Sequence, residues 1–343
     1  MIPHLVDASM KAMSDHRTVL QELAQLVQDT FSLWRERWVG FSWRNYYFNH
    51  TQRVQALSRT LGMKEGANLI ALDFAAILHD ITKRYDGEII LDSKGQRALD
   101  ANGFWHNELL LPQKENIVTS LYRQYDLFHT LHNYSGAIVA QHLLEAYGFD
   151  PTFCNLIHTI IESHLKPDHE SDHREHYLEK QILYEADTLD SNIGLTAFYR
   201  NIQIRTHHAI KKGGLADLAE YIPTIESWIE RKRSFMEKIF TVTGVAIAES
   251  RIHRMNDFYS QILDDYHNHF EASRQYGLLG IMQYFMDHNS DPNLITELSY
   301  LQNYWLPIRY KQIQQKRSMS SEHLFHQASR FCQLLHQEIT GQS

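Results

Sequence analysis

The amino-acid sequence predicts an all-α protein, in which a helical bundle is followed by an additional helical region. Proline and glycine are scarce, at 7 and 15 of 343 residues, and apolar residues recur at helical spacing rather than in alternation. Apolar residues make up 43% of the chain and charged residues 22%, which is typical of globular proteins. A chain of this length suffices for one large core or for two unequal domains.

Apolar periodicity and helix-ending residues define the predicted elements. Gly62 is the predicted C-terminal cap of a helix over 50–61, and "KKGG" at 211–214 is the best candidate for a domain boundary. A further helix should follow His132 and end at Gly148 and Pro151. The other predicted helices cover residues 17–37, 66–81, 152–165, 177–198, 215–286 and 294–340. We therefore expect an N-terminal extension over 1–44, a main domain over 45–212 and a helical C-terminal region over 213–343.

Charge and composition narrow the classes of partner. A formal net charge of -8 argues against duplex nucleic acid, because binding a duplex requires a cationic surface. No run of 18 apolar residues marks a membrane helix, and the N-terminus lacks the basic start and apolar core of a signal peptide. We therefore expect a cytoplasmic protein with no membrane partner. Cys154 and Cys332 should be free thiols, since two cysteines make no disulfide framework.

The 22 histidines direct attention to metal binding, because histidine is the commonest metal ligand. His79 and Asp80 stand side by side after an apolar run, in "FAAILHDITKRYDG". Neighbouring residues on a helix point about 100° apart, so that these two side chains can flank one cluster. An imidazole on one metal and a carboxylate that bridges to a second would suit such a pair. Similar contexts surround other candidates, namely His50, His132, His164 and Asp187.

The order H…HD…H…H…D resembles the HD superfamily of metal-dependent phosphohydrolases, in the branch that holds a dinuclear centre. The matching elements are "NHTQRVQALS", "ILHDITK", "HNYSGAIVA", "IIESH" and "YEADTLD". The resemblance implies an HD domain with two divalent metal ions. It implies that Asp80 bridges them, and the implied ligands are His50, His79, Asp80 and Asp187 for one ion and Asp80, His132 and His164 for the other.

The resemblance also implies a reaction. A hydroxide between the two ions would hydrolyse a nucleotide or another small phosphoester or phosphoanhydride. Lys83, one turn from Asp80, and Arg53, one turn from His50, are placed to offset charge on the phosphoryl oxygens. Iron is the first choice of metal because this branch commonly uses it, and manganese or another divalent ion also suits histidine and carboxylate ligands.

Several residues compete for the ligand positions. His129 could replace His132, and Asp190 could replace Asp187. His158 and His164 are some 240° apart on a helix, so one face cannot present both. His169 and His173 have the i, i+4 spacing of a zinc site, but the charges around them favour a solvated loop. Surface or packing positions are expected for the remaining histidine-rich segments, "THH" at 206–208 and "YHNHF" at 266–270.

Other functions remain open on the sequence alone. The same six ligands occur in mixed-valent di-iron oxygenases, and a non-catalytic, metal-dependent regulatory module would need the same site. Lys83 and Arg53 could instead lie on solvated helix faces. An aromatic cluster before His50 could form the floor of a base-binding pocket or part of the core; its members are Trp34, Trp38, Trp43, Tyr46 and Tyr47. The helices after Gly214 are expected to shape the substrate site or to mediate self-association.

Overall fold

The computed structural model describes residues 3–39, 42–90, 92–93, 98–99, 107–165, 177–316 and 319–342. The chain forms two compact units, of which the first contains residues 1–62 and 66–184 and the second contains residues 63–65 and 185–343. Helices dominate both units, which confirms the predicted all-α class. Among the described residues, no helix combines the length and the apolar character that crossing a membrane requires.

The first unit is built from helices and two short hairpins. Its helices are α1 (Pro3–Phe31), α2 (Arg44–Glu65), α3 (Leu69–Leu78), α4 (Ile117–Gln124), α5 (His132–Ala146), α6 (Pro151–Glu162) and α7 (Tyr177–Asn192), with a 3-10 helix at Lys83–Asp86. The antiparallel hairpins pair β1 (Trp38–Val39) with β2 (Ser42–Trp43) and β3 (Glu88–Ile89) with β4 (Asn107–Glu108). The last residues of α2 and α7 are assigned to the second unit.

Close packing in the first unit depends on the small residues of α5. Both α3 and α5 pack against α6. A Cβ atom on Gly136 would lie only 3.2 Å from the carbonyl oxygen of His79, so the backbone of α5 approaches the chain at the end of α3. The hydroxyl of Thr82 donates to the carbonyl of His132 at 3.2 Å, which fixes the start of α5 against the turn after α3.

The second unit consists of helices of widely different length, from 4 to 27 residues. They are α8 (Leu195–Lys211), α9 (Leu218–Tyr221), α10 (Ile225–Arg233), α11 (Val242–Asn268), α12 (Phe270–Tyr276), α13 (Leu278–Asp287), α14 (Leu294–Tyr300), α15 (Leu306–Lys316) and α16 (Met319–Ile339). Two 3-10 helices, Ile222–Thr224 and Ser234–Lys238, and a π-helix, Leu301–Trp305, connect some of them. The α8 helix packs on α13 and α16. The buried carboxylate of Glu338 accepts a hydrogen bond from the backbone of Leu195 at 2.8 Å.

Several predicted helix limits are wrong. Gly62 lies inside α2 rather than at its end. The glycine there is explained by packing, because a Cβ atom would collide with the side chains of Leu72 and Leu69. The helix ends at Gly66, whose φ of 81° is the left-handed conformation that favours glycine. The predicted helix over 177–198 is divided at Gly194, where φ is 113°. Breaks also divide the predicted segments 215–286 and 294–340, and α1 ends at Phe31 instead of residue 37.

The compact units divide after Tyr184, whereas the predicted boundary lies near residue 212. The reason is that α8 precedes "KKGG" in sequence but packs on helices that follow it. Gln203 donates to the carbonyl of Phe285 at 2.7 Å, and the hydroxyl of Tyr199 donates to Glu297 at 2.9 Å. A compact unit is not the same as a domain, and the domain bounds 1–44, 45–212 and 213–343 stay predictions.

Candidate metal centre

The chain reverses direction at the end of α3 and thereby buries a histidine and an aspartate together. Asn68 caps the start of α3 by accepting a hydrogen bond from the backbone of Ala71, and the helix is apolar from Phe74 to Leu78. His79 is its C-terminal cap, with its N–H donating to the carbonyl of Ala75 at 2.8 Å. Asp80 follows in a turn. Both residues are buried, His79 completely.

Four histidines from different elements surround the carboxylate of Asp80. The Nε2 atoms of His50 and His79 lie 3.7 and 3.6 Å from its Oδ2 atom. The Nε2 atoms of His132 and His164 lie 3.3 and 3.8 Å from its Oδ1 atom. All five side chains are buried. The first unit therefore brings together the five predicted ligands that belong to it, with the two carboxylate oxygens directed at different histidine pairs.

The donor set fits metal ions. His50, His79 and Asp80 form one group of candidate ligand atoms that lie within 4.8 Å of one another, and Asp80, His132 and His164 form a second such group. Asp80 belongs to both groups. Imidazole and carboxylate ligands without thiolate suit borderline divalent ions. The cluster can therefore hold a divalent metal ion.

Hydrogen bonds to backbone carbonyls fix the orientation of two of the imidazoles, those of His79 and His164. The Nδ1 atom of His79 lies 2.7 Å from the carbonyl of Ala76, and that of His164 lies 2.6 Å from the carbonyl of Ile161. A carbonyl only accepts, so each Nδ1 carries the proton. Each Nε2 is therefore the nitrogen left to bind a metal ion, and it lies 3.6 Å (His79) or 3.8 Å (His164) from Asp80. Such outer hydrogen bonds commonly fix the tautomer of a metal-binding histidine.

Asp86 performs the same role for His132 and was not predicted from the sequence. Its Oδ2 atom lies 2.6 Å from Nδ1 of His132, and its Oδ1 atom accepts from the backbone N–H of His132 at 3.0 Å. The available signal was its position in "KRYDG", at the end of the turn that starts with Asp80. Helical spacing did not reveal it, because the partner, His132, is 46 residues away.

Positive charge keeps both carboxylates ionised. Burial opposes ionisation of Asp80, but His79, Lys83, His132 and His50 outweigh it and hold its pKa well below the usual range. Burial also opposes ionisation of Asp86, where His132 and Lys83 again lower the pKa. Both carboxylates are thus retained as anions, which is the state that binds a cation.

The two predicted cationic residues occupy buried or partly buried positions. The Nζ atom of Lys83 lies 3.1 and 3.3 Å from the ring nitrogens of His132 and 3.6 Å from Asp86, and its side chain is 16% exposed. Arg53 is almost completely buried, with its guanidinium 4.8 Å from the ring centroid of Tyr46. A solvated helix face, the alternative for both residues, is therefore wrong.

The histidines that compete for the ligand positions differ from the clustered histidines in exposure or in hydrogen-bonding partner. His129 is exposed, with a φ of 65°, and His158 is half-buried, with Nε2 3.9 Å from Glu162. This favours His132 and His164 as the ligands. His169 and His173 lie outside the described residues. Among the histidines of the other two segments, His207 is half-buried, whereas His208, His267 and His269 are exposed.

Asp187 lies on α7, in the part of that helix that belongs to the second unit. Its side chain is half-buried and accepts a hydrogen bond from Ser191 at 3.2 Å. Asp190, on the same helix, is buried. The assignment of Asp187 as a metal ligand, in preference to Asp190, stays a prediction.

The aromatic cluster belongs mainly to the core. Trp34, Trp43, Tyr46 and Tyr47 are buried. The ring centroid of Tyr47 lies 5.5 Å from that of His50, so Tyr47 packs against the first predicted histidine ligand. Cys154 and Cys332 are buried free thiols, as predicted.

Part of the chain matches a known protein family. The HD domain family model matches residues 47–192. A solved structure of a predicted HD superfamily hydrolase from an uncultured Thermotogales bacterium is 21% identical and has a TM-score of 0.40, covering 72% of this chain and 92% of that one. Bacillus subtilis YpgQ in complex with ADP is 18% identical and has a TM-score of 0.38, covering 73% and 98%.

No curated protein matches the chain. The matched range includes the HD dipeptide at His79 and Asp80, all four clustered histidines, and Asp187. The order of these residues and the geometry of the buried cluster agree with the family match. Residues 47–192 of this chain therefore match the HD domain family.

Proposed function

We propose that the protein is a metal-dependent phosphohydrolase that cleaves a nucleotide or another small phosphoester or phosphoanhydride. The observation that carries the proposal is the division of Asp80 between two histidine pairs, His50 with His79 and His132 with His164. A carboxylate in this position suits two ions that share one ligand. Sites with two metal ions are used repeatedly for hydrolysis at phosphorus.

Each histidine pair would hold one ion together with Asp80. We assign Asp187 to the ion at His50 and His79, because it lies within the matched HD domain and supplies the final aspartate of the H…HD…H…H…D order. A bound divalent ion lowers the pKa of a coordinated water toward neutrality and polarises a phosphoryl oxygen. Iron is our first choice, and manganese or another divalent ion also suits these ligands.

Lys83 is assigned to the substrate. It borders the cluster, within 3.3 Å of both ring nitrogens of His132, and its side chain is partly exposed. An ammonium group there can bind a phosphoryl oxygen and stabilise the negative charge on the equatorial oxygens during transfer. We assign the same role to Arg53, whose guanidinium remains charged even when buried.

Turnover of aryl phosphoesters and a nucleotide panel by the metal-loaded protein tests this proposal. We expect phosphate release that is equal with and without dioxygen. Lys83→Ala should lose most of the turnover while elemental analysis shows that its metal content is unchanged. Lys64→Ala is the matched control, because Lys64 is exposed. Retained turnover in Lys83→Ala would remove Lys83 from the reaction.

Two other results would replace the proposal. Substrate-dependent consumption of dioxygen without phosphate release would identify a mixed-valent di-iron oxygenase that uses the same ligands. A metal-loaded protein that hydrolyses none of the phosphoesters and consumes no dioxygen would favour a regulatory module. In that case, binding of the nucleotide panel without turnover should be measured by calorimetry.

A further inference from the structure

A pocket of about 260 Å³ lies within the second unit, beside α8, α10 and the 3-10 helix Ser234–Lys238. Three cationic side chains contribute to its wall: Arg200, Arg231 and Lys232. The protein as a whole carries a net charge of -8, so the positive charge of this pocket is opposite in sign to the net charge of the chain. Apart from Ser191 on α7, the residues that line the pocket lie outside the matched HD domain.

Among the residues that the structure describes, Lys232 hydrogen-bonds to a neutral side chain. Its Nζ atom donates to the amide oxygen of Asn192 at 2.5 Å and lies 4.9 Å from the ring centroid of Phe235. No carboxylate forms an ion pair with Lys232 in the part of the chain that the structure describes. Burial, together with the positive charges of Arg200 and Arg231, lowers the pKa of Lys232 to about 8. The ammonium group is therefore held at an electrostatic cost.

Glu230, the acidic residue next to Arg231 in the sequence, already has an ion-pair partner. Glu230 forms an ion pair with Arg233 at 3.3 Å, whereas Arg231 is exposed and donates to the hydroxyl of Ser227 at 3.3 Å. Two like charges, on Arg231 and Lys232, thus line one pocket without a carboxylate between them. A bound anion would relieve their repulsion, because opposite charges at short range favour both ionised forms.

The pocket also offers a neutral donor and an apolar wall. The hydroxyl of Tyr221 donates to Oδ1 of Asn201 at 2.9 Å, which leaves the amide N–H groups of Asn201 as donors. Trp228 and Phe235 supply aromatic surface. Phosphate oxygens accept several charge-assisted hydrogen bonds at once, and arginine and lysine are their usual donors.

We propose that this pocket binds the phosphate group of a small organic phosphate, with Lys232 and Arg231 as the charged donors and the aromatic wall in contact with the organic part. The proposal requires neither the metal ions nor hydrolysis. It therefore stands or fails separately from the proposed function.

Protection of Lys232 from acetylation tests the proposal on the full-length, metal-loaded protein. Labelling at each lysine is followed by peptide mass spectrometry in chloride, inorganic phosphate and AMP at equal ionic strength. We expect phosphate and AMP to slow the acetylation of Lys232 and to leave Lys211, an exposed lysine outside the pocket wall, unchanged. Because labelling is read at Lys232 itself, binding at the metal centre does not confuse the result, and a phosphate assay of the AMP samples checks that the AMP stays intact during labelling.

Variants and ligands sharpen the test. Arg231→Gln should raise the AMP concentration needed for protection about tenfold, the effect of losing one charge-assisted hydrogen bond, whereas Lys211→Met should not change it. Stronger protection by AMP than by inorganic phosphate supports an organic phosphate, and equal protection would overturn that part of the proposal. Equal acetylation of Lys232 in chloride, phosphate and AMP would overturn the whole proposal, provided that thermal melting shows the protein to be folded.

Discussion

Asp86 holds His132 by both of its carboxylate oxygens: Oδ2 lies 2.6 Å from Nδ1 of the ring, and Oδ1 accepts from the backbone N–H at 3.0 Å. The two residues belong to different elements, the 3-10 helix Lys83–Asp86 and the start of α5. This contact fixes both the position of the helix and the direction of the ring. Nε2 of His132 is consequently aimed at Asp80, 3.3 Å away.

Asp86→Asn should weaken metal binding at the position formed by His132 and His164. Loss of the partner that orients a histidine ligand typically costs 10- to 100-fold in metal affinity, and we expect a loss within about that range. Metal titration of the folded variant measures it, with Asp29→Asn as the control because Asp29 is exposed on α1. Unchanged affinity in Asp86→Asn would show that the contact does not position the ligand.

Gly194→Ala should destabilise the second unit severely. Gly194 has a φ of 113°, and a Cβ atom there would overlap the carboxylate of Glu338 and lie 2.9 Å from Arg251. We expect a loss of more than about 2 kcal/mol in the free energy of unfolding. Gly213→Ala is the control: its φ is also positive, but no atom lies within 4 Å of the added Cβ, so about 1 kcal/mol is expected.

Urea denaturation of both glycine variants measures these free energies. Equal losses would mean that backbone strain alone, and not the contact with Glu338 and Arg251, makes glycine necessary at position 194.

Glu297 should make stability fall as the pH rises. Burial raises its pKa to about 8, although hydrogen bonds from Asn293 and Tyr199 act in the opposite direction. Below the ordinary glutamate pKa of 4.5, Glu297 is protonated in both the folded and the unfolded protein. Its contribution to the free energy of unfolding is then at its largest. Between about pH 4.5 and 8 the unfolded state loses its proton first, so the folded state loses up to about 1.4 kcal/mol of stability per pH unit.

Glu297→Gln should remove this contribution. Chemical denaturation at several pH values between 5 and about 8 compares the variant with the wild type. We expect the variant to have the smaller loss of stability across this range, while Glu226→Gln, at an exposed position, follows the wild type. A pH dependence that is unchanged in Glu297→Gln would contradict a protonated Glu297 in the folded protein.

Much of the metal site could be predicted from the sequence because its residues lie at recognisable places. His79 and Asp80 follow an apolar helix, and His132 begins a helix rich in small residues. The structure shows why these patterns accompany the site: α5 must approach the carbonyl of His79 closely, which Gly136 permits. Local patterns of this kind survive in the sequence because each depends on neighbouring residues.

The missed features depend on contacts between distant residues. Gly62 has the appearance of a helix cap, but packing of Leu72 and Leu69 explains it. Tyr199 and Gln203, which precede "KKGG", likewise donate hydrogen bonds to residues far beyond it, and the predicted domain bounds stay predictions. Periodicity carries no information about such long-range partners, and the same reason kept Asp86 from being recognised as the partner of His132.

Metal content of the purified protein and its variants tests the central claim, that Asp80 is shared by two ion positions. After reconstitution with iron or manganese, elemental analysis should find close to two ions per chain in the wild type and in His129→Ala, the exposed-histidine control. His164→Ala should lose mainly one ion, whereas Asp80→Asn should lose both while it still melts cooperatively. An Asp80→Asn protein that keeps one tightly bound ion, or a wild type that never binds more than one, would contradict the shared-aspartate centre.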